Sequence, residues 1–334
     1  MTQSDFYYNQ MQTLPVIDEQ PSLPGDPWPS HRFRAMGSEI ALWLDDEEGD
    51  ACVAFSRVER LFRRLEARLT RFDANSELSR LNARPERWVQ VSPLLADVLG
   101  QALALAEKTG GLFDPTLLPA LEAAGYTTSF ERMGKKQQAV SGSPQPGRWP
   151  EVRLDPLRPA VWLPSEVRLD LGGIGKGYTA QLALDLLAAW GAALVDAGGD
   201  LVAGAPPRGL PGWPVAVAAP GGGDAPDLFH LWLAQAALAT SGIDYRRWQQ
   251  NGRPAHHLID PRTGRPTTGD LVTATVLAPE ATTAEGWGTA SLIAGRERGL
   301  DLLLAREMAG ALTTTGGKSL LTPAFAGHVV WPVL

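Results

Sequence analysis

The sequence predicts an α+β fold, because strand-like and helix-like segments are mixed along the chain without strict alternation. The 334 residues could form about two domains of ordinary size, or one large mixed domain with insertions. A hydrophobic content of 44% with 20% charged residues is typical of soluble globular proteins. No segment recurs at the spacing of solenoid repeats, so a repeat architecture is not expected.

Composition and charge exclude several classes of protein. The chain has 30 Lys and Arg against 37 Asp and Glu, and this net charge of −7 without a basic cluster argues against nucleic-acid binding. Cys52, the only cysteine, cannot form an internal disulfide, and its periodic apolar neighbours predict a buried thiol. No run reaches the roughly 20 apolar residues of a membrane span, and the chain start lacks a signal-peptide pattern or lipid-attachment cysteine. We therefore expect a cytoplasmic protein without a membrane span.

The first half of the chain begins with a proline-rich segment. Residues 1–30 have no sustained period, which predicts a disordered or extended N-terminal arm. Residues 31–44 predict a strand, and 51–69 have apolar residues near helical spacing, which predicts an amphipathic helix. Ser92 is a suitable N-cap for a second helix that ends at Lys108, before a pair of glycines.

The second half of the chain mixes strand-like and helix-like segments without strict alternation. Residues 131–165 are rich in Gly, Pro, Ser and charge, which predicts an exposed excursion or hairpin of variable length. A strand at 167–171 should lead through a glycine-rich turn into a helix that ends near Trp190. The remaining pattern predicts strands at 192–196, 213–219, 229–235 and 271–278, a turn at Ser241-Gly242, and helices at 283–295 and 298–308.

The glycine-rich turn LDLGGIGKGY is a candidate anion site. Glycines between a strand and a helix let backbone amides approach a phosphate, and the helix N-terminus adds partial positive charge. The segment is not a Walker A loop, because Asp170 and Gly177 stand at positions where that motif needs Gly and Ser or Thr, and its glycine spacing does not fit a Rossmann turn. The residues alone leave open whether Lys176 meets a ligand or is a solvated cation.

A carboxylate and a hydroxyl occur four residues apart in TTAEGWGTAS. On a helix, Glu285 and Thr289 would share one face, and two such oxygens could hold Mg²⁺ weakly. The pattern Thr282-x-x-Glu285 is also a capping box, in which Glu285 would only bond the N-cap amide. The residues alone favour the capping box, because such boxes are common.

Two adjacent histidines precede the turn LIDPRTG. An imidazole of His256 or His257 could act as a general base near neutral pH, although most histidines have a structural role. Weaker candidates, each with a structural alternative, are Met36 at a strand start, Phe72 as a stacking surface for a planar ring, and Asp114 and Asp200 in turns.

Eight segments in order resemble successive motifs of the FAD:protein FMN transferase family, also called the ApbE family. They extend from about His31 to the end of the chain, and their order makes the resemblance specific. The segments are AMGS, LTRFDANSELSRLN, TGGLFDPT, LDLGGIGKGY, DAGGDL, ATSGIDYRR, HHLIDPRTGRP and TTAEGWGTAS.

The resemblance implies one large mixed domain of the ApbE (T-fold-like) type over residues 31–334. It implies transfer of the FMN half of FAD to a Thr or Ser hydroxyl of an acceptor protein, with release of AMP and with Mg²⁺ at the pyrophosphate. It overrides the capping box, since Glu285, Thr289 and the carbonyl of Gly173 match the family's metal ligands. His257 matches the family's histidine before the Asp-Pro turn and is expected to accept the proton of the acceptor hydroxyl. The positions that match the FAD site are Met36, Phe72, Leu112, Phe113, Asp114, Asp170, Lys176 and Ile259.

The sequence departs from the family pattern in a few places. Glu285 stands where the family usually has Asp, Leu117-Leu118 where Val-Gly is common, and Gln181 where Asp is frequent. Two alternatives to transfer therefore stay open. The chain could be an FAD-binding carrier or sensor that has lost transfer, or an Mg²⁺-dependent FAD pyrophosphatase that releases FMN and AMP.

Overall fold

An eight-stranded antiparallel sheet forms the centre of the protein. The computed structural model describes residues 28–46, 49–133, 136–137, 145–222 and 225–332. The predicted N-terminal arm therefore lies outside the described residues except for its last three. The helices are α1 (Ala51–Leu69), α2 (Glu77–Asn82), α3 (Pro93–Lys108), α4 (Leu118–Ala123), α5 (Gly175–Leu187), α6 (Ala281–Ala294), α7 (Arg296–Leu304) and α8 (Pro323–Ala326), with short 3₁₀ helices at Phe130–Arg132 and Trp149–Glu151.

The described part of the chain contains nineteen strands, numbered here in chain order. They are β1 (Ser30–Ala35), β2 (Ser38–Asp46), β3 (Trp88–Gln90), β4 (Lys136–Gln137), β5 (Arg153–Leu154), β6 (Ala160–Trp162), β7 (Gly191–Ala197), β8 (Leu201–Ala203), β9 (Trp213–Val217), β10 (Phe229–Leu233), β11 (Ala236–Gly242), β12 (Arg247–Gln250), β13 (Arg253–His256), β14 (Ile259–Asp260), β15 (Arg265–Pro266), β16 (Leu271–Ala278), β17 (Ala309–Thr314), β18 (Ser319–Leu321) and β19 (Val329–Pro332).

The central sheet has the strand order β1-β2-β7-β8-β11-β16-β17-β18. Each neighbouring pair in it is antiparallel, which confirms the predicted α+β class. Smaller groups are β19-β10-β9, β13-β12-β4, β3-β6-β5 and the pair β14-β15. No helix among the described residues is long and apolar enough to cross a membrane.

Both faces of the central sheet are buried. In β7, Ala193 and Val195 belong to a core with apolar residues of α1, α3 and α5, whereas Leu194 between them belongs to a core with β9 and β10. This alternation follows from the two-residue period of a strand, which sends successive side chains to opposite faces. Helices therefore cover one face of the sheet and a small second sheet covers part of the other.

The single strand predicted at 31–44 is instead the hairpin of β1 and β2. The chain reverses at Met36 and Gly37, whose φ angles are +52° and +67°. The left-handed region is easy for glycine, which allows the tight reversal, and Met36 adopts it as well. The amide of Met36 donates to the carboxylate of Glu66 on α1 at 2.8 Å, which fixes the tip of the hairpin.

The strand predicted at 167–171 is absent, and the prediction was wrong there. This segment has one isolated bridge to another segment, between Leu117 and Arg168. The side chain of Asn82 bonds both backbone groups of Leu169, at 2.9 Å to the carbonyl and 2.8 Å to the amide. A buried amide side chain therefore replaces a partner strand in satisfying this backbone.

Other boundaries also differ from the predictions. Ser241 and Gly242 are not a turn but the end of β11, paired with Ala274 and Thr273. Helix α5 ends at Leu187 rather than near residue 190, and α6 begins at Ala281. The thiol of Cys52 is exposed, not buried, because it lies on the outer side of the first turn of α1.

The expected excursion at 131–165 is only partly described, with residues 134–135 and 138–144 outside the described part. Strand β4 pairs in parallel with β12, and β5 and β6 form a hairpin whose second strand pairs with β3. Val161 and Leu163 are fully buried and belong to the core, whereas Leu157 is 94% exposed. That the length of the segment varies stays a prediction.

Candidate active-site cleft

A cleft of about 1240 Å³ contains every residue that the sequence analysis assigned to the site. Its lining comes from the β1–β2 hairpin, the segment after α1, the turn before α4, the glycine-rich turn, the β13–β14 connection and α6. The predicted residues that line it are Met36, Phe72, Leu112, Phe113, Asp114, Asp170, Gly173, Lys176, His257, Ile259, Glu285 and Thr289.

A carboxylate at the start of the glycine-rich turn stabilises its conformation. Asp170 accepts a hydrogen bond from the amide of Gly172 at 2.9 Å, and α5 begins at Gly175. A Cβ atom on Gly173 would approach the Phe113 ring to 3.2 Å, and one on Gly177 would overlap the carboxylate of Glu285. Glycine at these two positions therefore allows the turn and α5 to lie close to the other walls of the cleft.

The centre of the cleft is a buried ion cluster. The ammonium of Lys176 contacts Oδ2 of Asp200 and lies 3.1 Å from Oε1 of Glu285. Only 13%, 8% and 7% of these side chains are exposed. Burial alone would lower the pKa of Lys176, but the two carboxylates outweigh it and hold the pKa above its usual range. Burial raises the pKa of Glu285, although Lys176 opposes this.

Glu285 does not take part in a capping box, so that interpretation was wrong. The N-cap of α6 is Glu280, and the carboxylate of Glu285 accepts from the amide of Gly177 at 3.1 Å as well as from Lys176. One turn along α6, the hydroxyl of Thr289 lies 3.0 Å from that of Ser241 on β11. The face of α6 that carries these two oxygens is therefore turned toward the cleft.

The oxygen atoms near Glu285 could hold a hard cation. No group of three or more His, Cys, Asp or Glu side chains suited to a metal occurs in the described part of the chain. The predicted set is different, since it combines one carboxylate, the Thr289 hydroxyl and the Gly173 carbonyl. Mg²⁺ accepts such oxygen ligands and commonly completes its shell with water and phosphate.

The two adjacent histidines have different surroundings. His257 lines the cleft, and burial lowers its pKa to about 3, with a further contribution from the charge of Arg246. Its imidazole is therefore neutral near pH 7, so that one of its ring nitrogens carries no proton. His256 is bonded through Nε2 to the carbonyl of Thr267 at 3.0 Å and does not line the cleft.

Asp114 is buried beside the turn that precedes α4. Its Oδ1 accepts from the amide of Thr116 at 2.7 Å and from the hydroxyl of the same residue. Burial raises the pKa of Asp114, whereas these bonds oppose the shift. The amide of Arg148 donates to the Thr116 hydroxyl at 2.7 Å, and a Cβ on Gly147 would overlap Asp114. The segment expected to be an excursion therefore packs against the site.

Three residues at the site were missed or undervalued by the sequence analysis. Asp200 was a weak candidate, yet it is a member of the central ion cluster. Arg246 lines the cleft beside His257 and was not singled out. Arg71 is buried between Asp170 and the ring of Phe72, and its position beside Phe72 in the same motif was the one available signal.

Known proteins resemble the chain over most of its length. Residues 36–312 match the model of the ApbE family. A protein of Haemophilus influenzae named FAD:protein FMN transferase is 28% identical over 292 residues, which cover 83% of each chain. One of the same name from Treponema pallidum is 30% identical over 284 residues, covering 77% of this chain and 75% of the relative.

Solved structures have the same fold. The ApbE protein of Thermotoga maritima superimposes with a TM-score of 0.81 at 25% identity, covering 90% of this chain and 99% of that protein. The flavinyl transferase ApbE of Pseudomonas stutzeri gives a TM-score of 0.78 at 24% identity, covering 93% of this chain and all of the other.

Removing the cation of the buried cluster should destabilise the protein in a pH-dependent way. We expect Lys176→Met to lose about 3 kcal/mol of unfolding free energy at neutral pH, because the carboxyl groups of Asp200 and Glu285 would stay buried without the cation that pairs with them. Burial already raises the pKa of Glu285 in the folded protein. A carboxyl group whose pKa is raised in the folded state stabilises the fold at pH values below its unfolded-state pKa, and this stability is lost as the pH rises. The difference in unfolding free energy between wild type and Lys176→Met should therefore shrink toward about pH 5.

The measurement is urea denaturation in EDTA at several pH values, with Lys108→Met, an exposed lysine at the end of α3, as control. A Lys176→Met protein as stable as the control at neutral pH, or with a pH-independent deficit, would contradict the assignment of this cluster.

Proposed function

The chain belongs to the ApbE family, and we propose that it is an Mg²⁺-dependent FAD:protein FMN transferase. In this reaction the FMN half of FAD passes to a Thr or Ser hydroxyl of an acceptor protein, and AMP is released. The proposal rests on the groups that meet in the cleft. The cleft combines a buried lysine between two carboxylates, a glycine-rich turn and a neutral histidine.

The cleft offers suitable surroundings for each part of FAD. The amides of the glycine-rich turn and the ammonium of Lys176 can face the pyrophosphate, as expected at the N-terminus of a helix. Apolar and aromatic side chains can pack against the rings, and the carboxylates of Asp114 and Asp170 can orient polar groups. The apolar set comprises Met36, Phe72, Leu112, Phe113 and Ile259.

Glu285, Thr289 and the carbonyl of Gly173 are the residues that would hold Mg²⁺. All three are hard oxygen donors on one cleft, and the two carboxylates of Glu285 and Asp200 bring more negative charge to this position than Lys176 alone can neutralise. Bound there, Mg²⁺ would neutralise charge on the pyrophosphate. The longer side chain of Glu285, in place of the family's usual Asp, can reach the cleft from α6 because Gly177 has no Cβ in its path.

The protein's own groups account for the remaining steps. The unprotonated imidazole nitrogen of His257 accepts the proton of the acceptor hydroxyl. That oxygen bonds to the phosphorus of the FMN half, and the bond from this phosphorus to the bridging oxygen breaks, so that AMP leaves with the bridging oxygen. Lys176 stabilises the charge that collects on the phosphates. Positioning and charge stabilisation dominate phosphoryl transfer, so the protein needs no nucleophile of its own.

Transfer can be tested by incubation with FAD, Mg²⁺ and an acceptor domain that bears a Thr-containing flavinylation motif. We expect an increase in the intact mass of the acceptor that matches FMN, with an equal amount of AMP. Both should be lost without Mg²⁺ and in Glu285→Ala, since the proposed metal site loses its one carboxylate. Free FMN without an adduct would indicate a pyrophosphatase, and tight FAD binding without any product would indicate a carrier or sensor.

The role of His257 can be separated from FAD binding. We expect His257→Ala to lower the rate of transfer by about a hundredfold or more, the usual contribution of a general base, and to leave the Kd for FAD within about threefold of wild type. His256→Ala is the matched control, because this neighbour lies outside the cleft. Equal losses in the two variants, or normal transfer by His257→Ala, would refute the assignment.

A further inference from the structure

We propose that Arg71 is a positioning residue that links the aromatic wall of the cleft to the glycine-rich turn and so keeps both in the arrangement that binds FAD. The inference rests on the proposed function, because Phe72 and Asp170 belong to the proposed FAD site. Arg71 itself belongs to neither the metal ligands nor the proton-transfer group.

The first contact of Arg71 is a buried ion pair. Its Nε lies 2.6 Å from Oδ2 of Asp170, and only 5% of the arginine side chain and 18% of the aspartate side chain are exposed. The other oxygen of Asp170 accepts from the amide of Gly172. The guanidinium therefore acts on the glycine-rich turn through one carboxylate, in a place where water screens the interaction little.

The second set of contacts is with two aromatic rings. The guanidinium carbon lies 4.2 Å from the ring centre of Phe72 and 4.6 Å from that of Tyr126, and Nη2 donates to the carbonyl of Tyr126 at 2.9 Å. The two ring centres are 5.9 Å apart. Such distances are those of cation–π contacts, which fix the plane of a ring as well as its position.

The aromatic wall is anchored on its far side but not at the cleft. Tyr126 packs against Trp248 with ring centres 5.5 Å apart, and the indole of Trp248 donates to the carbonyl of Ala124 at 2.8 Å. Phe72, by contrast, has 43% of its surface exposed in the cleft. Arg71 therefore adds to the direct contact between the Phe72 and Tyr126 rings a second connection, which contacts both of them and Asp170.

Arginine suits this position better than lysine. Its planar group can donate to a carboxylate and a carbonyl and stack on rings at the same time, because the donors lie in one rigid plane. A lysine could retain the charge beside Asp170, but it could not make the stacking contacts as well. Loss of the guanidinium should thus remove a contact that holds the Phe72 ring in place and the ion pair that holds Asp170 in the glycine-rich turn.

The test compares the equilibrium binding of FAD, followed by quenching of flavin fluorescence, in wild type, Arg71→Met, Asp170→Asn and the double variant. We expect Arg71→Met to raise the Kd for FAD about tenfold or more, the size of effect expected when a hydrogen bond to a charged group is lost. The double variant should bind no worse than about twofold weaker than Asp170→Asn, because the two residues act as a unit. Arg71→Lys should be intermediate.

The control is Arg68→Met, which breaks an ion pair with Glu77 at 3.5 Å outside the cleft and should bind FAD as wild type does. A loss of binding in Arg71→Met within twofold of this control, or additive losses in the double variant, would overturn the proposal. If Arg71→Met does not fold, as judged by circular dichroism, wild-type affinity in Arg71→Lys would overturn it. Absence of FAD binding in wild type would instead refute the proposed function.

Discussion

The burial of one lysine between two carboxylates is the constraint around which this site is built. Charged groups removed from water are costly unless they are paired with good geometry, so Lys176, Asp200 and Glu285 must come together as a set. They come from three elements: the start of α5, the β7–β8 turn and α6. Helix α5 can approach the Glu285 carboxylate this closely because residue 177 is a glycine, and any side chain there would overlap that carboxylate. The cluster thus fixes the mutual positions of the glycine-rich turn and α6, which form two walls of the cleft.

The central sheet supplies the frame for this cluster. Strand β11 has β8 and β16 as neighbours, and its last residues reach the cleft. The amide of Thr240 donates to Oδ1 of Asp200 at 3.3 Å, and the hydroxyl of Ser241 lies beside that of Thr289. Strand β11 therefore contacts both Asp200 in the β7–β8 turn and the Thr289 hydroxyl on α6. A site held by such a strand is more rigid than one held by loops, as charge stabilisation in phosphoryl transfer requires.

The parts of this structure that the sequence predicted are those set by local patterns. Helices α1 and α3 follow from apolar residues at helical spacing and, in α3, from the Ser92 cap that the structure contains. The twelve motif residues meet in one cleft, as their family resemblance implied. Contacts between distant segments were not predictable. Asn82 replaces a strand partner for Leu169, and Arg71 meets Asp170, but nothing local in either segment specifies the other. Likewise, Ser241 and Gly242 suggest a turn in isolation and extend β11 only because β16 pairs with them.

In the proposed reaction, the region around Glu285 binds a divalent cation together with FAD. The most direct measurement is a titration of Mn²⁺, in place of Mg²⁺, followed by electron paramagnetic resonance in the presence and absence of FAD, for wild type and Glu285→Gln. We expect wild type to immobilise Mn²⁺ when FAD is bound and Glu285→Gln to bind it far more weakly under the same conditions. Binding of FAD by wild type while Mn²⁺ stays free in solution, or equal binding of Mn²⁺ by the two proteins, would contradict it.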